Sequence, residues 1–127
     1  MNTFRVLPTR IHGVLDYSSV VLLAAIPFVV RANQRTRTLA LGAAGKVLIS
    51  GLMTRYELGL FKVFPMSAHL AVDFALGTAL LGYAQGATEE SGEARGALAT
   101  LGVISVVASL ITEETPGEIP DAFPGDS

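Results

Sequence analysis

Neither cysteine nor tryptophan occurs in the chain. The first absence removes disulfides, thiolate nucleophiles, iron–sulfur clusters and cysteine-based zinc sites together. Charge is scarce too: 16% of residues are charged, against about 25% in an ordinary soluble domain. With a formal net charge of −2 and no basic cluster, nothing is present to neutralise a phosphate backbone, so no nucleic-acid partner is expected. Apolar character is what the chain has in quantity. Half of the 127 residues are hydrophobic and the mean hydropathy is +0.51, which point to a single domain in a membrane.

Four apolar stretches carry that hydropathy. Residues 14–30 (VLDYSSVVLLAAIPFVV), with the lead-in 9–13, supply the about 20 residues that a helix needs to cross a bilayer. Pro27 should kink or end this span, a break that neighbouring helices in a membrane tolerate. Residues 38–54 (TLALGAAGKVLISGLMT) are short, rich in small residues and interrupted by Lys46; residues 66–84 and 96–112 complete the set. No stretch shows the broad polar face of a soluble amphipathic helix, although marginal span lengths leave a soluble bundle as the alternative. Small residues four apart, at Ala40 and Ala44, Ala75 and Ala79, and Ser105 and Ser109, predict close helix packing. The connection 55–65 (RYELGLFKVFP) should lie at the interface with its apolar side, Tyr56 included, toward lipid. The tail 113–127, with several acids and prolines and no base, is expected to be disordered. The first stretch is too long for a signal-peptide core, contains Asp16 and lacks a small-x-small cleavage site, so it should remain attached. Lysine and arginine counts on the two sides tie and leave the orientation open, although four spans put both termini on one side.

The chain repeats itself. Pro8, His12, Asp16 and Tyr17 recur as Pro65, His69, Asp73 and Phe74, each 57 positions on, and Leu52-Met53-Thr54 matches Leu110-Ile111-Thr112 with a one-residue slip. The unit is therefore a helical hairpin occurring twice, which predicts a pseudo-two-fold axis along the membrane normal and spans one and three facing each other. The segments PTRIHGVLDY, TRYELGLFKVFPM and HLAVDF resemble the hairpin pattern of the small bacterial membrane proteins with SPW repeats, over most of residues 8–112. Where that family has Ser-Pro-Trp, this chain has Ile26-Pro27-Phe28 and Tyr83-Ala84-Gln85. The resemblance implies a small multi-pass protein of the bacterial inner membrane with paired hairpins, and it carries no catalytic residues.

His12 and Asp16, like His69 and Asp73, are four apart and share a helix face. A two-fold axis brings the pairs together, and two imidazoles with two carboxylates suit zinc, iron or manganese, or a proton relay. The structural alternative is that each His–Asp pair hydrogen-bonds within its own helix and clamps the hairpins. Lys46, near the middle of span two, needs a partner; Asp16 is the obvious one, but helical side chains lean toward the N-terminus and carry Lys46 away from it. GAAGKV is not a phosphate-binding loop, since Ala40 and Val47 stand where glycine and Ser or Thr are required.

The expected architecture is all-α: four transmembrane helices as two tandem hairpins (residues 8–57 and 65–112) within a membrane domain 1–112. The expected role is a structural or interaction module. Its partners would be the lipid bilayer and either further copies or other membrane proteins. The rivals are a metal- or proton-binding protein using His12, Asp16, His69 and Asp73, and a small oligomeric transporter subunit. No catalytic constellation or cofactor fingerprint is present, so no enzyme is expected.

Overall fold

The computed structural model describes residues 4–116; of the acidic tail, residues 117–127 lie outside the described residues. Four helices follow in order, α1 (Thr9–Val29), α2 (Gln34–Met53), α3 (Met66–Gly86) and α4 (Gly92–Ile111). Pro8 and Pro65 stand immediately before α1 and α3. Proline suits a helix start because its fixed φ fits the first turn and its missing N–H is not needed there. Asn33 and Ser91 cap α2 and α4, their side chains accepting from the Thr36 and Ala94 amides at 2.9 and 3.1 Å. These caps start α2 and α4 four residues earlier than hydropathy alone suggests. At Pro27 helix α1 nears its end but runs two residues further, and the chain then turns through Arg31 in the left-handed region, φ 53°.

Each hairpin packs tightly within itself, α1 on α2 and α3 on α4, while the hairpins meet more sparingly along α1–α4 and α2–α3. The two repeats also close onto each other at one end. Leu7 bridges Thr112 and Phe64 bridges Thr54, so the segment before each first helix pairs with the end of the second helix of the other, or the preceding, hairpin. The matching bonds are Leu7 N–H to Ile111 O and Phe64 N–H to Met53 O, both 2.8 Å. Between α3 and α4 the backbones approach so closely that a Cβ on Gly77 would lie 2.7 Å from the Gly102 carbonyl oxygen, and one on Gly102 2.8 Å from that of Gly77. Glycine is the residue that permits this contact.

Polar side chains share the interior with apolar ones, and large apolar side chains cover much of the surface. Large apolar side chains face outward on every helix, with Val21 65%, Ile49 59%, Phe74 44% and Leu110 50% exposed. His12, Asp16, Thr36, Thr54, His69, Asp73, Ser109 and Thr112 are instead buried. An apolar core of Leu23, Ala40, Val47, Leu80, Leu98 and Leu101 fills the middle. Two helices, α1 and α4, are long and apolar enough to cross a membrane by length and composition.

Two expectations change. Ala75 and Ala79 are exposed; the close contact on α3 is made by Gly77, which faces α4. In the 55–65 connection Leu60, Phe61, Val63 and Phe64 are exposed, but Tyr56 is fully buried beside Met66 and Leu70. Gly13 leaves the space for its ring, since a Cβ there would lie 2.6 Å from the Tyr56 Cε2.

Candidate functional site

The helix pattern sets His12 and Asp16 one turn apart on α1, and His69 and Asp73 one turn apart on α3. The hairpins bring all four into one buried cluster, in which one ligand atom from each residue lies within 4.8 Å of every other. Its shortest contacts cross between the hairpins. His12 Nε2 lies 2.6 Å from Asp73 Oδ2 and His69 Nε2 lies 2.5 Å from Asp16 Oδ2. Within each helix the contacts are longer, 3.2 Å for His12–Asp16 and 3.1 Å for His69–Asp73. The expected pairing inside each helix is thus secondary, and nitrogen and oxygen alternate around a four-membered ring. The imidazoles stand edge to face, 5.4 Å between centroids.

The other imidazole nitrogens are held by the residues that end α2 and α4. His69 Nδ1 lies 2.8 Å from Thr54 Oγ1 and His12 Nδ1 lies 2.7 Å from Thr112 Oγ1. Each threonine hydroxyl donates its own hydrogen backward along its helix, Thr54 to the Ser50 carbonyl at 2.5 Å and Thr112 to the Ala108 carbonyl. The threonine oxygens therefore accept, and this hydrogen-bond network assigns a proton to each Nδ1. Both Nε2 atoms are left facing the carboxylates. Sequence spacing alone does not assign this role to Thr54 and Thr112; its signal is the repeated threonine that closes each hairpin.

Two buried carboxylates carry two negative charges, and burying them uncompensated would be strongly unfavourable. Two protons on the Nε2 atoms neutralise them. One divalent cation does so equally, taking the two Nε2 lone pairs and two carboxylate oxygens as ligands, with the threonine–imidazole bonds orienting the rings from behind. A small void of about 20 Å³ touches Asp16 and Asp73 from the middle of the bundle. That is room for about one water.

Tyr56 closes the site from the connection side, its ring 5.9 Å from that of His69. Its buried hydroxyl has no hydrogen-bond partner among the described residues. Burial pushes the phenol above its ordinary pKa, and the neighbouring Tyr17 hydroxyl, then the carboxylates of Asp16 and Asp73, add to the shift, so it keeps its proton. Lys46 takes no part: it is exposed on α2 and makes no ion pair or hydrogen bond among the described residues, with Asp16 or any other group. Comparison with protein-family models, curated proteins and solved structures finds no match to this chain.

Proposed function

We propose that this chain is a four-span integral membrane protein that binds one divalent first-row metal ion, zinc being the best fitted, at His12, Asp16, His69 and Asp73. Membrane placement of all four helices is supported by the large apolar side chains exposed on α2 and α3 as well as on α1 and α4, with a polar cluster held inside beside the apolar core. The observation that carries the metal reading is the tautomer lock. Thr54 and Thr112 hold a proton on each Nδ1 and turn both Nε2 atoms toward two carboxylates, a donor set of two nitrogens and two oxygens with neutral charge around a divalent ion.

Binding exchanges one divalent ion for two protons. Each Nε2–H bridging to a carboxylate is lost, two protons leave, and no net charge changes in the low-dielectric interior. The donors now stand 2.5–3.2 Å apart along the ring; about 3.3 Å is needed around tetrahedral zinc with bonds of about 2.0–2.1 Å. The ring edges must open by several tenths of an ångström and the diagonal pairs, which lie within 4.8 Å, must settle at the same spacing. The short cross-hairpin bonds also favour a second reading, a proton-bridged clamp that only holds the hairpins together.

The two readings separate by metal analysis. Detergent-purified protein, exchanged against zinc, manganese or ferrous ion and then desalted, should retain about one ion per chain. The doubly substituted His12→Ala, His69→Ala protein should retain none while its helical circular dichroism persists. Metal-free wild-type protein under all three conditions would leave the clamp.

A further inference from the structure

The pseudo-two-fold relation holds closely for the buried face of α2 and α4. Advancing 58 positions takes the cap Asn33 to the cap Ser91, Ala43 to Leu101 and Thr54 to Thr112, and each pair plays the same part in both hairpins. On the outward face the relation breaks around Lys46. Gly42, Gly45 and Lys46 of α2 correspond to Thr100, Val103 and Ile104 of α4, and Ala68 of α3 corresponds to Ile11 of α1. In the second position larger β-branched side chains stand at these places, with Ile11, Val103 and Ile104 all exposed on the surface. In the first, small residues leave a groove of about 600 Å³ between α2 and α3, lined along its length by Ile49, Phe64, Ala68 and Val72 and bordered by Lys46 and Ser50. That volume lies within the range of small-molecule sites, about 300–1,000 Å³.

The groove has one uncompensated charge, because the His69 imidazole in its wall is paired with Asp16. Lys46 sits seven residues before the end of α2, about 10 Å along the helix axis, and has no partner among the described residues. An ammonium at that depth on a lipid-facing surface is unfavourable unless an anion or water meets it. Beside it, the Ser50 hydroxyl oxygen lies 3.0 Å from His69 Nδ1; because that nitrogen bears the proton, the serine's own hydrogen is free for another acceptor. A single cation and a hydroxyl donor above an apolar slot match a monoanionic headgroup on a single acyl chain. A phosphodiester with two chains has more tail than the slot can bury.

From this break in symmetry we infer that the α2–α3 groove binds a long-chain fatty acid, its carboxylate accepting from the Lys46 ammonium and the Ser50 hydroxyl and its chain lying along Ile49, Phe64, Ala68 and Val72. The inference rests on the membrane placement and shares the His69 Nδ1 proton with the metal reading, since Thr54 and His69 also line the groove; it does not require a bound ion. The test uses the full chain, chelator-treated and in nonionic detergent, titrated with the fluorescent fatty acid cis-parinaric acid. Saturable binding displaced by oleate is expected. Lys46→Ile, which copies the second repeat, should weaken parinarate binding about tenfold and leave displacement by oleyl alcohol unchanged. Gly45→Val should weaken the binding of acid and alcohol alike, and it should fold, because a Cβ there meets nothing within 4 Å. Non-saturable binding, or equal affinity in wild type and both variants, would overturn the proposal. So would lysophosphatidylglycerol displacing the probe more strongly than oleate, which would assign the groove to a phosphate headgroup.

Discussion

The two hairpins are alike at the polar centre they share and different around it. At their junction each contributes one histidine, one aspartate and one terminal threonine, and even the bridges that close the bundle, Leu7 to Thr112 and Phe64 to Thr54, are copies of each other. Around it, the α2–α3 seam keeps an open groove beside Lys46 of the first hairpin, and only the second hairpin packs its own helices through a glycine pair, Gly77 and Gly102. A feature kept in both copies and shared between them belongs to the common centre. A feature present in one copy is free to serve a task of its own.

The largest expected effect comes from breaking the shared centre on one side. His12→Ala leaves Asp73 buried without its nearest partner, and should cost about 3–5 kcal/mol, read as unfolding in detergent. His69→Ala should cost a similar amount through Asp16, and the double variant less than the sum of the two. Full additivity would mean that the four residues do not act as one unit. Next, the hairpins should differ in tolerance at their helix contacts. Gly77→Val drives a side chain into the Gly102 carbonyl and should destabilise by about 1–3 kcal/mol, whereas the equivalent position in the first hairpin already holds Val20.

The threonines sharpen the comparison further. Thr112→Val removes the acceptor of His12 Nδ1–H and should lower zinc affinity about 10–100-fold, measured by competition with a chromophoric chelator. Thr54→Val should lower it less, because Ser50 Oγ stands 3.0 Å from His69 Nδ1 as a substitute acceptor. Equal losses would remove Ser50 from the site. The smallest effect lies at the opposite end of the bundle, where Glu90 receives the Thr36 hydroxyl at 2.5 Å and the Asn33 amide at 3.1 Å. The Thr36 bond first, then the amides of Ser91 and Asn33, hold the Glu90 carboxyl below its ordinary pKa. Its contribution is therefore present above the unfolded carboxylate value and is lost as pH falls through the lowered one. Glu90→Gln should flatten the acid limb of the melting temperature, and an unchanged acid limb would remove Glu90 from that role.

Much of this was legible in the sequence. The displacement of His12 and Asp16 onto His69 and Asp73 shows a duplicated hairpin, and the hydropathy locates four helices, because both are one-dimensional patterns. The partner of each histidine was not legible. Spacing favours His12 with Asp16, yet the shorter bond runs to Asp73, since the distance between hairpins is a property of packing. Tyr56 was misplaced for the same reason: its neighbours in the connection face outward, and only the gap over Gly13 draws its ring inside. Ala75 and Ala79 have the right spacing on the wrong face of α3, which Gly77 corrects.

The most direct test is the proton count on zinc binding. Titration calorimetry of zinc into the detergent-solubilised protein, in two buffers of different ionisation enthalpy, measures the protons released per ion bound. The tautomer lock predicts one zinc and about two protons per chain, both from Nε2. Binding with no proton release, or no binding at all, would contradict it and leave the quartet as a clamp between hairpins.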